Sequence, residues 1–442
     1  MKQISSALPW VAIYLLLVTA PLLVLLMGEM PPGVDFWWDF AMALGFAGMA
    51  MMGVQFALTA RFRRATAPFG IDIIYYFHRY LAIFALFVVL AHFLIIWVGY
   101  DEALGETIDP RQAPWELTMG RAALVMFALA VVTSQWRAQL RLEYGLWRYS
   151  HVFFATIGFA AAVAHILGVG YYTEAPGKRA MWLTATLFWV LLLLWVRVVK
   201  PWSQLRHPYR VDEVREERGN TWTLALVPDG HRGLKRFMPG QFAWLTLRSS
   251  PFLLREHPFS ISSPPERLPR LEFTIKALGD RTRTIGSFER GEVVYLDGPY
   301  GMFSIDRYRD APGFAGIVGG VGITPVMSML RSMSERGDRR PFQLFYANGN
   351  WDDITFREEL EELRSRLQLD LVHVLEEPPE GWEGESGFVT KDMLDRLLSN
   401  ARRAETCYFL CGPPPLVAAA EQGLTASGVR PRQIKVEIFN LV

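Results

Sequence analysis

The 442-residue sequence has only two cysteines and no concentrated block of basic residues. Cys407 and Cys411 lie close together, and without a second pair they do not form a structural zinc site or a disulfide framework. The 45 basic and 44 acidic residues give a net charge of +1, which argues against a nucleic-acid partner. No spacing typical of an EF-hand is present, so the sequence gives no indication of calcium gating.

Long hydrophobic runs are abundant, but they are confined to the first 200 residues. Six segments are long enough to span a membrane. They are Pro9–Met27, Phe36–Ala60, Ile71–Val98, Leu117–Ser134, Trp147–Gly170 and Met181–Val199. The first resembles a signal peptide, but its apolar run is too long and no small-residue cleavage site follows it. We therefore predict an uncleaved first helix and a lipid bilayer as the surroundings of this region.

Charged residues between the apolar segments predict the orientation of the helices. Basic residues occur on one side, at Lys2, Arg61, Arg63, Arg64, Arg137, Arg141, Arg148, Arg197 and Lys200. Acidic residues occur on the other side, at Glu29, Asp35, Asp39, Asp101, Glu102, Glu106, Asp109 and Glu116. By the positive-inside rule, both termini are cytoplasmic and the protein is integral to the cell membrane.

Four histidines lie in these segments as two equally spaced pairs. His78 and His92 are fourteen positions apart, as are His151 and His165. Fourteen helical residues return to nearly the same face with a rise of roughly 21 Å. Because the third and fifth helices run in the same direction, His78 matches His151 in the inner leaflet and His92 matches His165 in the outer leaflet. We predict two stacked haems, each held between one histidine pair and suited to electron transfer.

The alternative is that these histidines only form hydrogen bonds between helices. Equal spacing and matching depth favour ligation, because polar residues at membrane depth are costly and usually functional. Arg79 and Arg148 flank the inner pair, where they either meet haem propionates or snorkel to the interface. Small residues of the fifth segment either leave room for a macrocycle or serve helix packing; they are Gly158, Ala160, Ala161, Ala162 and Ala164.

The sequence changes character after the sixth segment. Short strand-like runs separated by turns predict a small antiparallel barrel. These runs are Trp222–Val227, Phe242–Leu247, Leu271–Ile275 and Val293–Leu296. From about Phe314 a repeated strand, glycine loop and helix pattern predicts a parallel α/β sheet. The predicted domains are a six-helix membrane domain over 1–200, a barrel over 208–306 and an α/β domain over 307–442.

Two segments of the barrel carry candidate flavin contacts. His257-Pro258-Phe259-Ser260 offers an aromatic ring to lie against a flavin and a hydroxyl to bond a ring nitrogen. Lys276 and the turn from Gly279 to Thr282 could hold a pyrophosphate through the ammonium and loop N–H groups. Each piece alone is weak, since any barrel has an aromatic residue and a serine on one strand.

Two segments of the α/β domain end a strand in a tight turn. In Gly320-Val321-Gly322-Ile323-Thr324-Pro325, glycines permit close approach to a phosphate and Pro325 is placed where a helix starts. The segment Cys411-Gly412-Pro413 would place the thiol at the carboxyl edge of the sheet, where ligands bind. The simpler interpretation of Cys411 is a buried structural thiol.

Together these ordered motifs resemble those of the ferric reductase and NADPH oxidase superfamily over nearly the whole chain. The resemblance implies b-type haems on His78/His151 and His92/His165, and no Cys-x-x-Cys-His attachment motif is present. It implies FAD beside Phe259 and Ser260, and NADPH or NADH at the Gly320–Pro325 loop with Cys411 near the nicotinamide. It also implies that Phe439, in Glu437-Ile438-Phe439, covers the flavin.

One departure from the family pattern concerns the choice of nucleotide. Many relatives that prefer NADPH carry an arginine after the strand corresponding to Leu344-Phe345-Tyr346, where Gly349 stands here. Without that guanidinium, discrimination for the 2′-phosphate weakens, unless Arg331 or Arg357 substitutes.

The function expected from these features is transmembrane electron transfer. Cytosolic NAD(P)H would reduce FAD, and single electrons would pass to the inner haem, the outer haem and an acceptor outside. Dioxygen giving superoxide is the first choice of acceptor, and an Fe(III) chelate is the second. A third interpretation is an electron relay to a partner protein or a quinone.

Overall fold

The computed structural model describes residues 2–25, 27, 34–62, 71–104, 109, 112–279, 282–398 and 405–438. It divides into two compact units, Met1–Pro201 and Trp202–Val442. Within the described residues, six helices are long and apolar enough to cross a membrane. They are α1 (Lys2–Leu25), α2 (Phe36–Thr59), α3 (Ile71–Gly99), α4 (Trp115–Gln135), α5 (Tyr144–Val169) and α6 (Pro176–Leu194). The six predicted apolar segments are therefore confirmed as helices.

Helix α2 is the most buried of the six, with half of its apolar span covered by the rest of the unit. Glycines on α2 explain this close packing. A Cβ at Gly48 would lie 2.4 Å from Val89 on α3, and one at Gly53 would lie 2.6 Å from the Trp189 indole nitrogen on α6. Small residues of this kind let helices approach closely in a membrane. After α6 the chain continues through a π-helical turn (Trp195–Val199) and α7 (Lys200–Arg206).

The second unit begins with a six-stranded antiparallel sheet, as predicted. Its strands are β1 (Tyr209–Glu217), β2 (Thr221–Pro228), β3 (Phe242–Leu247), β4 (Glu256–Ser260), β5 (Leu271–Lys276) and β6 (Val293–Tyr300). They are ordered β4-β3-β6-β1-β2-β5. Strand β1 was not among the predicted runs, because its many charged residues hide the alternation of buried and exposed positions.

A parallel sheet follows, in the order β10-β9-β8-β7-β11-β12. Its strands are β7 (Phe314–Gly319), β8 (Phe342–Asn348), β9 (Leu369–Leu375), β10 (Glu385–Ser386), β11 (Cys407–Cys411) and β12 (Ile434–Glu437). Its helices are α8 (Thr324–Arg336), α9 (Arg357–Arg366), α10 (Lys391–Leu397) and α11 (Pro414–Ala426). The predicted architecture of helical membrane region, antiparallel sheet and α/β domain is thus confirmed.

Strands β7 and β11 are direct neighbours in this sheet, pairing Val318 with Cys411. The loops that follow the two strands therefore meet at one edge, which is where ligands bind in open α/β sheets. Helix α8 begins at this edge, and its residues from Thr324 to Met333 are all buried. One side of α8 packs in the core of the parallel sheet, and the other contacts the antiparallel sheet at Ser262 and Ser263.

Candidate functional site

The four membrane histidines lie on α3 and α5 and meet in the predicted pairs. The ring centres of His78 and His151 are 6.3 Å apart. One metal ion between two imidazoles needs about 2 Å to each nitrogen, which places the ring centres about 6 Å apart. His92 and His165 line one cavity. No group of three His, Cys, Asp or Glu side chains in the described part of the chain could hold a bare metal ion. A macrocycle would supply the remaining ligands of a metal at either pair.

Hydrogen bonds fix the orientation of His92 and His165. The Nδ1 of His92 is 2.8 Å from the carbonyl oxygen of Ala41, and that of His165 is 2.9 Å from the carbonyl oxygen of Glu116. A carbonyl oxygen only accepts hydrogen bonds, so Nδ1 carries the proton and donates in each ring. The Nε2 of each neutral imidazole is then unprotonated, which is the form that ligates a metal.

His151 is held by a side chain. Its Nδ1 is 3.0 Å from the Ser134 hydroxyl oxygen, and that hydroxyl donates its own proton to the Ala130 carbonyl at 2.6 Å. The hydroxyl must therefore accept from His151, which again leaves Nε2 unprotonated. The Nδ1 of His78 is buried and has no hydrogen-bond partner among the described residues.

Two glycines that the sequence analysis did not identify shape the His92/His165 site. A Cβ at Gly45 would lie 3.0 Å from the His92 Nδ1, and one at Gly120 would lie 2.8 Å from the His165 Nδ1. Each glycine follows by four residues the carbonyl that holds the same ring, since Ala41 precedes Gly45 and Glu116 precedes Gly120. The shared four-residue offset on α2 and α4 is a signal present in the sequence.

The cavity at His92 and His165 contains about 1250 Å³ of empty space, part of it open to the exterior. Its walls are mainly apolar, with Met42, Phe46 and Phe127 among them, and Arg121 is charged. A macrocycle fits this lining, because a haem is flat and apolar over most of its surface. The residues present therefore fit a haem held by these two histidines.

The structure gives different surroundings to the flanking arginines and to the small residues of α5. Arg79 is exposed and donates to the side-chain oxygen of Gln135 on α4 at 3.0 Å. Gly158 packs against α4, where its Cβ would lie 3.0 Å from Met126 and Phe127, so its small size serves helix packing. Ala162 lines the cavity. Arg148 is half-buried at the start of α5. A propionate contact for Arg79 and Arg148 stays a prediction.

The candidate flavin residues lie on β4, paired with β3. Phe259 faces Ala243 in the register, and Ser260 faces Phe242. The Ser260 hydroxyl is buried without a hydrogen-bond partner in the described residues, although a buried hydroxyl normally has one. A ligand that bonds this oxygen would resolve the deficit, which fits the flavin proposed for this strand. His257 and Pro258 are half-buried on the same strand.

The predicted pyrophosphate loop after β5 is partly self-bonded. The Thr282 hydroxyl oxygen accepts from the backbone N–H groups of Leu278 and Gly279, at 3.1 and 2.9 Å. Those two amides are engaged within the loop. Lys276 is half-buried at the end of β5. Residues 280–281 of the turn, and Phe439 beyond β12, lie outside the described residues.

The nucleotide loop and the cysteine motif come together at the edge of the parallel sheet. A Cβ at Gly322 would lie 2.5 Å from the Cys411 carbonyl oxygen, and one at Gly412 would lie 2.9 Å from the Gly319 nitrogen. Gly320 has a φ of +51°, which L-residues rarely adopt. Pro325 and Thr324 begin α8, and Pro413 immediately precedes α11. The arrangement suits a pyrophosphate between two helix N-termini.

Arg331, on α8, and Arg357, at the start of α9, were the two candidates to replace the missing 2′-phosphate cation. Arg331 is only 5% exposed and is bound to Glu272 and Glu359, so the idea that it replaces the missing cation is wrong. Arg357 lies 4.7 Å above the Trp351 ring and donates to the Trp351 carbonyl at 3.0 Å. A Cβ at Gly349 has only the Asp353 carboxylate nearby, at 3.9 Å.

Comparison with known proteins identifies both halves of the chain. Residues 44–163 match the family model of the ferric reductase like transmembrane component, and residues 317–422 match the oxidoreductase NAD-binding domain. NADH-cytochrome b5 reductase 1 of Laccaria bicolor is 35% identical over 164 residues, which is 35% of this chain and 52% of that protein. The reductase component of propane 2-monooxygenase from Mycolicibacterium goodii is 31% identical over 210 residues, which is 46% of this chain and 59% of that protein.

This chain thus spans about half the length of the curated relatives that it matches. Flavohemoglobin from Malassezia yamatoensis, solved with bound FAD and heme, aligns with 92% of this chain and 100% of its own. Its TM-score is 0.50 at 16% identity, and the likeness concerns the fold alone. The chain therefore joins a segment similar to a ferric reductase like transmembrane component to a segment similar to an oxidoreductase NAD-binding domain.

Proposed function

We propose that this chain carries electrons from cytosolic NAD(P)H to an acceptor on the far side of the membrane. The carrying observation is the pairing of four histidines on α3 and α5, with Nδ1 hydrogen bonds that leave Nε2 unprotonated in three of them. Bound FAD supplies the conversion of a hydride into single electrons, and bound haem iron accepts one electron at a time. A stack of two such sites within the helices provides a route through the bilayer.

Residues at the edge of the parallel sheet in the second unit are proposed to bind the nucleotide. Gly320 and Gly322 permit close backbone approach to the pyrophosphate, and Thr324 and Pro325 begin α8, whose N-terminus favours an anion. Cys411 and Gly412 are buried at the adjoining strand end, where they would exclude water beside the nicotinamide, and the exposed Pro413 leads into α11.

On the neighbouring sheet, β4 presents the proposed flavin contacts. The Ser260 hydroxyl, buried without a partner in the described residues, would donate a hydrogen bond to the flavin, and Phe259 would offer its ring to the isoalloxazine. We propose Lys276 at the flavin pyrophosphate, with Gly279 and Thr282 forming the self-bonded turn that follows it. The covering of the flavin by Phe439 stays a prediction from the sequence.

Dioxygen, reduced to superoxide, is the proposed acceptor. Two histidines per site leave no position at which an acceptor could coordinate, so the acceptor takes its electron without ligation. The His92/His165 cavity has mainly apolar walls, including Trp38 and Tyr172. With a haem in this cavity, the same walls would surround the haem edge, and an apolar surrounding suits a small neutral molecule better than a hydrated ferric chelate, because desolvating a charged complex is costly.

Purified protein in lipid nanodiscs tests this function. We expect two b-type haems per chain by the pyridine haemochrome assay, and NAD(P)H-dependent dioxygen consumption without any partner. Superoxide dismutase should suppress reporter reduction, whereas an iron(II) chelator should not. One haem or none per chain would contradict the two-site proposal. Reduction of a ferric chelate in preference to dioxygen would favour the ferric reductase alternative, and transfer only to an added protein or quinone would favour the relay.

A further inference from the structure

Helix α8 connects the two halves of the proposed hydride-transfer site. Its first residue, Thr324, follows the nucleotide loop, and its middle touches the segment just after the flavin strand β4. Ser328 donates to the Ser263 carbonyl at 2.7 Å, and both residues are at most 1% exposed. One turn later, Arg331 donates to the Ser262 carbonyl at 2.9 Å. These two bonds hold residues that lie two and three positions after Ser260.

Arg331 is held by a buried set of charges. Its guanidinium donates to both carboxylate oxygens of Glu359 at 2.7 and 2.6 Å, and to Glu272 on β5 at 3.2 Å. Burial alone would raise the pKa of the Glu359 carboxyl, but the hydrogen bonds and charge of Arg331, together with the charges of Arg215 and Arg267, hold that pKa below its usual value. The geometry of the fork, with donors in fixed directions, suits three acceptors at once.

The receiving segment is itself rigid. Ser262 N–H donates to the Glu272 carbonyl at 2.8 Å, and the Ser263 hydroxyl accepts from the Glu272 N–H at 3.0 Å. The Ser262 hydroxyl also pairs with the Thr274 hydroxyl at 3.0 Å. Because this segment is fixed to β5, a displacement of α8 would shift the nucleotide loop relative to the flavin strand. No flexible loop lies between them to absorb the shift.

Another ion pair between α8 and the antiparallel-sheet domain lies at the exposed rim. Arg267 pairs with Glu335 at 2.7 Å, with side chains 55% and 39% exposed. Exposed pairs of this kind contribute little because solvent screens them. They cannot fix a distance with the precision of the buried contacts of Ser328 and Arg331.

We propose that Arg331, assisted by Ser328, is a positioning residue for hydride transfer. It sets the distance and angle between the nucleotide loop and the flavin strand, and it touches neither the nucleotide nor the flavin. This inference rests on the proposed function, since it requires FAD and NAD(P)H to bind on these two elements. A misplacement of about 1 Å between reacting groups lowers a rate by about 100-fold.

The test compares Arg331→Lys and Ser328→Ala with the rim variant Arg267→Ala, all in the full-length protein in nanodiscs. Lysine keeps the charge but loses the fork. We expect the rate of flavin reduction at saturating NADH to fall by about 100-fold in Arg331→Lys. The Kd for NAD⁺ by calorimetry should stay within about threefold, because the nucleotide contacts are unchanged. Arg267→Ala should match the wild type in both measurements.

Hydrogen–deuterium exchange gives a readout independent of turnover. Amides of α8 from Ser328 to Arg331 should exchange faster in Arg331→Lys and Ser328→Ala, but not in Arg267→Ala, because α8 loses its anchor while the segment after β4 keeps its bonds to β5. An unchanged reduction rate in folded Arg331→Lys, or a loss that follows weaker NAD⁺ binding or lower FAD content, would overturn the positioning role. Absence of FAD and NAD⁺ binding in the wild type would instead reject the proposed function itself.

Discussion

Gly120 on α4 lies directly beneath the imidazole of His165 on α5. A Cβ at this position would be 2.8 Å from Nδ1, closer than side-chain atoms normally approach. Gly45 has the same relationship to His92, at 3.0 Å. In both cases the ring nitrogen nearest the glycine also donates to a backbone carbonyl one helical turn away. The absence of a side chain therefore permits the ring orientation that directs Nε2 into the cavity.

Gly120→Ala and Gly45→Ala should each empty the His92/His165 site. The added methyl group forces the imidazole away from its carbonyl partner, so the haem content should fall from about two to about one per chain. Pyridine haemochrome quantitation of purified protein measures this loss. Gly99→Ala is the matched control, because no heavy atom lies within 4 Å of its Cβ. Full haem content with an unchanged spectrum in Gly120→Ala would show that the ring tolerates the methyl group.

Ser134→Ala should alter the His78/His151 site without emptying it. The imidazole of His151 loses a hydroxyl acceptor at 3.0 Å and keeps the Ala130 carbonyl at 3.3 Å. Haem affinity should fall about tenfold, the low end of the effect of such partners. A less basic ligand also stabilises ferric iron less, so the midpoint potential of one haem should rise.

Spectroelectrochemical titration measures that potential. Thr133→Ala provides the control, since the Thr133 hydroxyl donates to the Leu129 carbonyl of its own helix at 2.6 Å. An equal shift in both variants would attribute the effect to the helix and not to the histidine.

A fragment beginning at Pro208 should fold, bind FAD and reduce a soluble dye with NAD(P)H. The second unit is compact, and the Pro208 carbonyl already accepts from Asp229 N–H at 3.0 Å. Size-exclusion chromatography and diaphorase assays measure this outcome. A fragment starting at Asn220 lacks β1, which lies between β6 and β2, and should not fold. A folded Pro208 fragment without dye reduction would show that the proposed domain division is wrong.

NADH and NADPH should be used within about tenfold of one another in kcat/KM. The described loop after β8 has glycine where a phosphate-binding arginine is expected, and Arg331 is buried elsewhere. A charge-assisted hydrogen bond contributes about 1.5–3 kcal/mol, so Gly349→Arg should favour NADPH by roughly tenfold to a hundredfold. Steady-state kinetics with both donors measures the ratio.

The variant Arg357→Ala tests whether Arg357 takes the place of the missing phosphate-binding arginine. If the Arg357 guanidinium above Trp351 binds the 2′-phosphate, this variant should lose NADPH activity selectively. A wild-type preference for NADPH of about a hundredfold that survives Arg357→Ala would contradict both the expected similar use of NADH and NADPH and the binding of the 2′-phosphate by Arg357.

The sequence predicted those features that depend on local pattern. Apolar length identified all six membrane helices, and the loop from Gly320 to Pro325 was placed correctly at a strand end. Gly45 and Gly120 were missed because a glycine in an apolar helix is ordinary, and its histidine partner lies at least 45 positions later. The ion pairs of Arg331 with Glu272 and Glu359 were missed for a similar reason, because they depend on how the two sheets pack together. Charge along β1 concealed a central strand.

The partners of the ring nitrogens have a consequence for how this protein can vary. His151 is held by the hydroxyl of Ser134, so a single base change in the gene can alter its electronic environment. His92 and His165 are held by main-chain oxygens of Ala41 and Glu116, which every amino acid possesses. Substitution at those two positions leaves the acceptors in place. Evolution and protein engineering can therefore replace the hydrogen-bond acceptor of His151 by a single substitution, while the acceptors of His92 and His165 move only when the backbone of a helix moves.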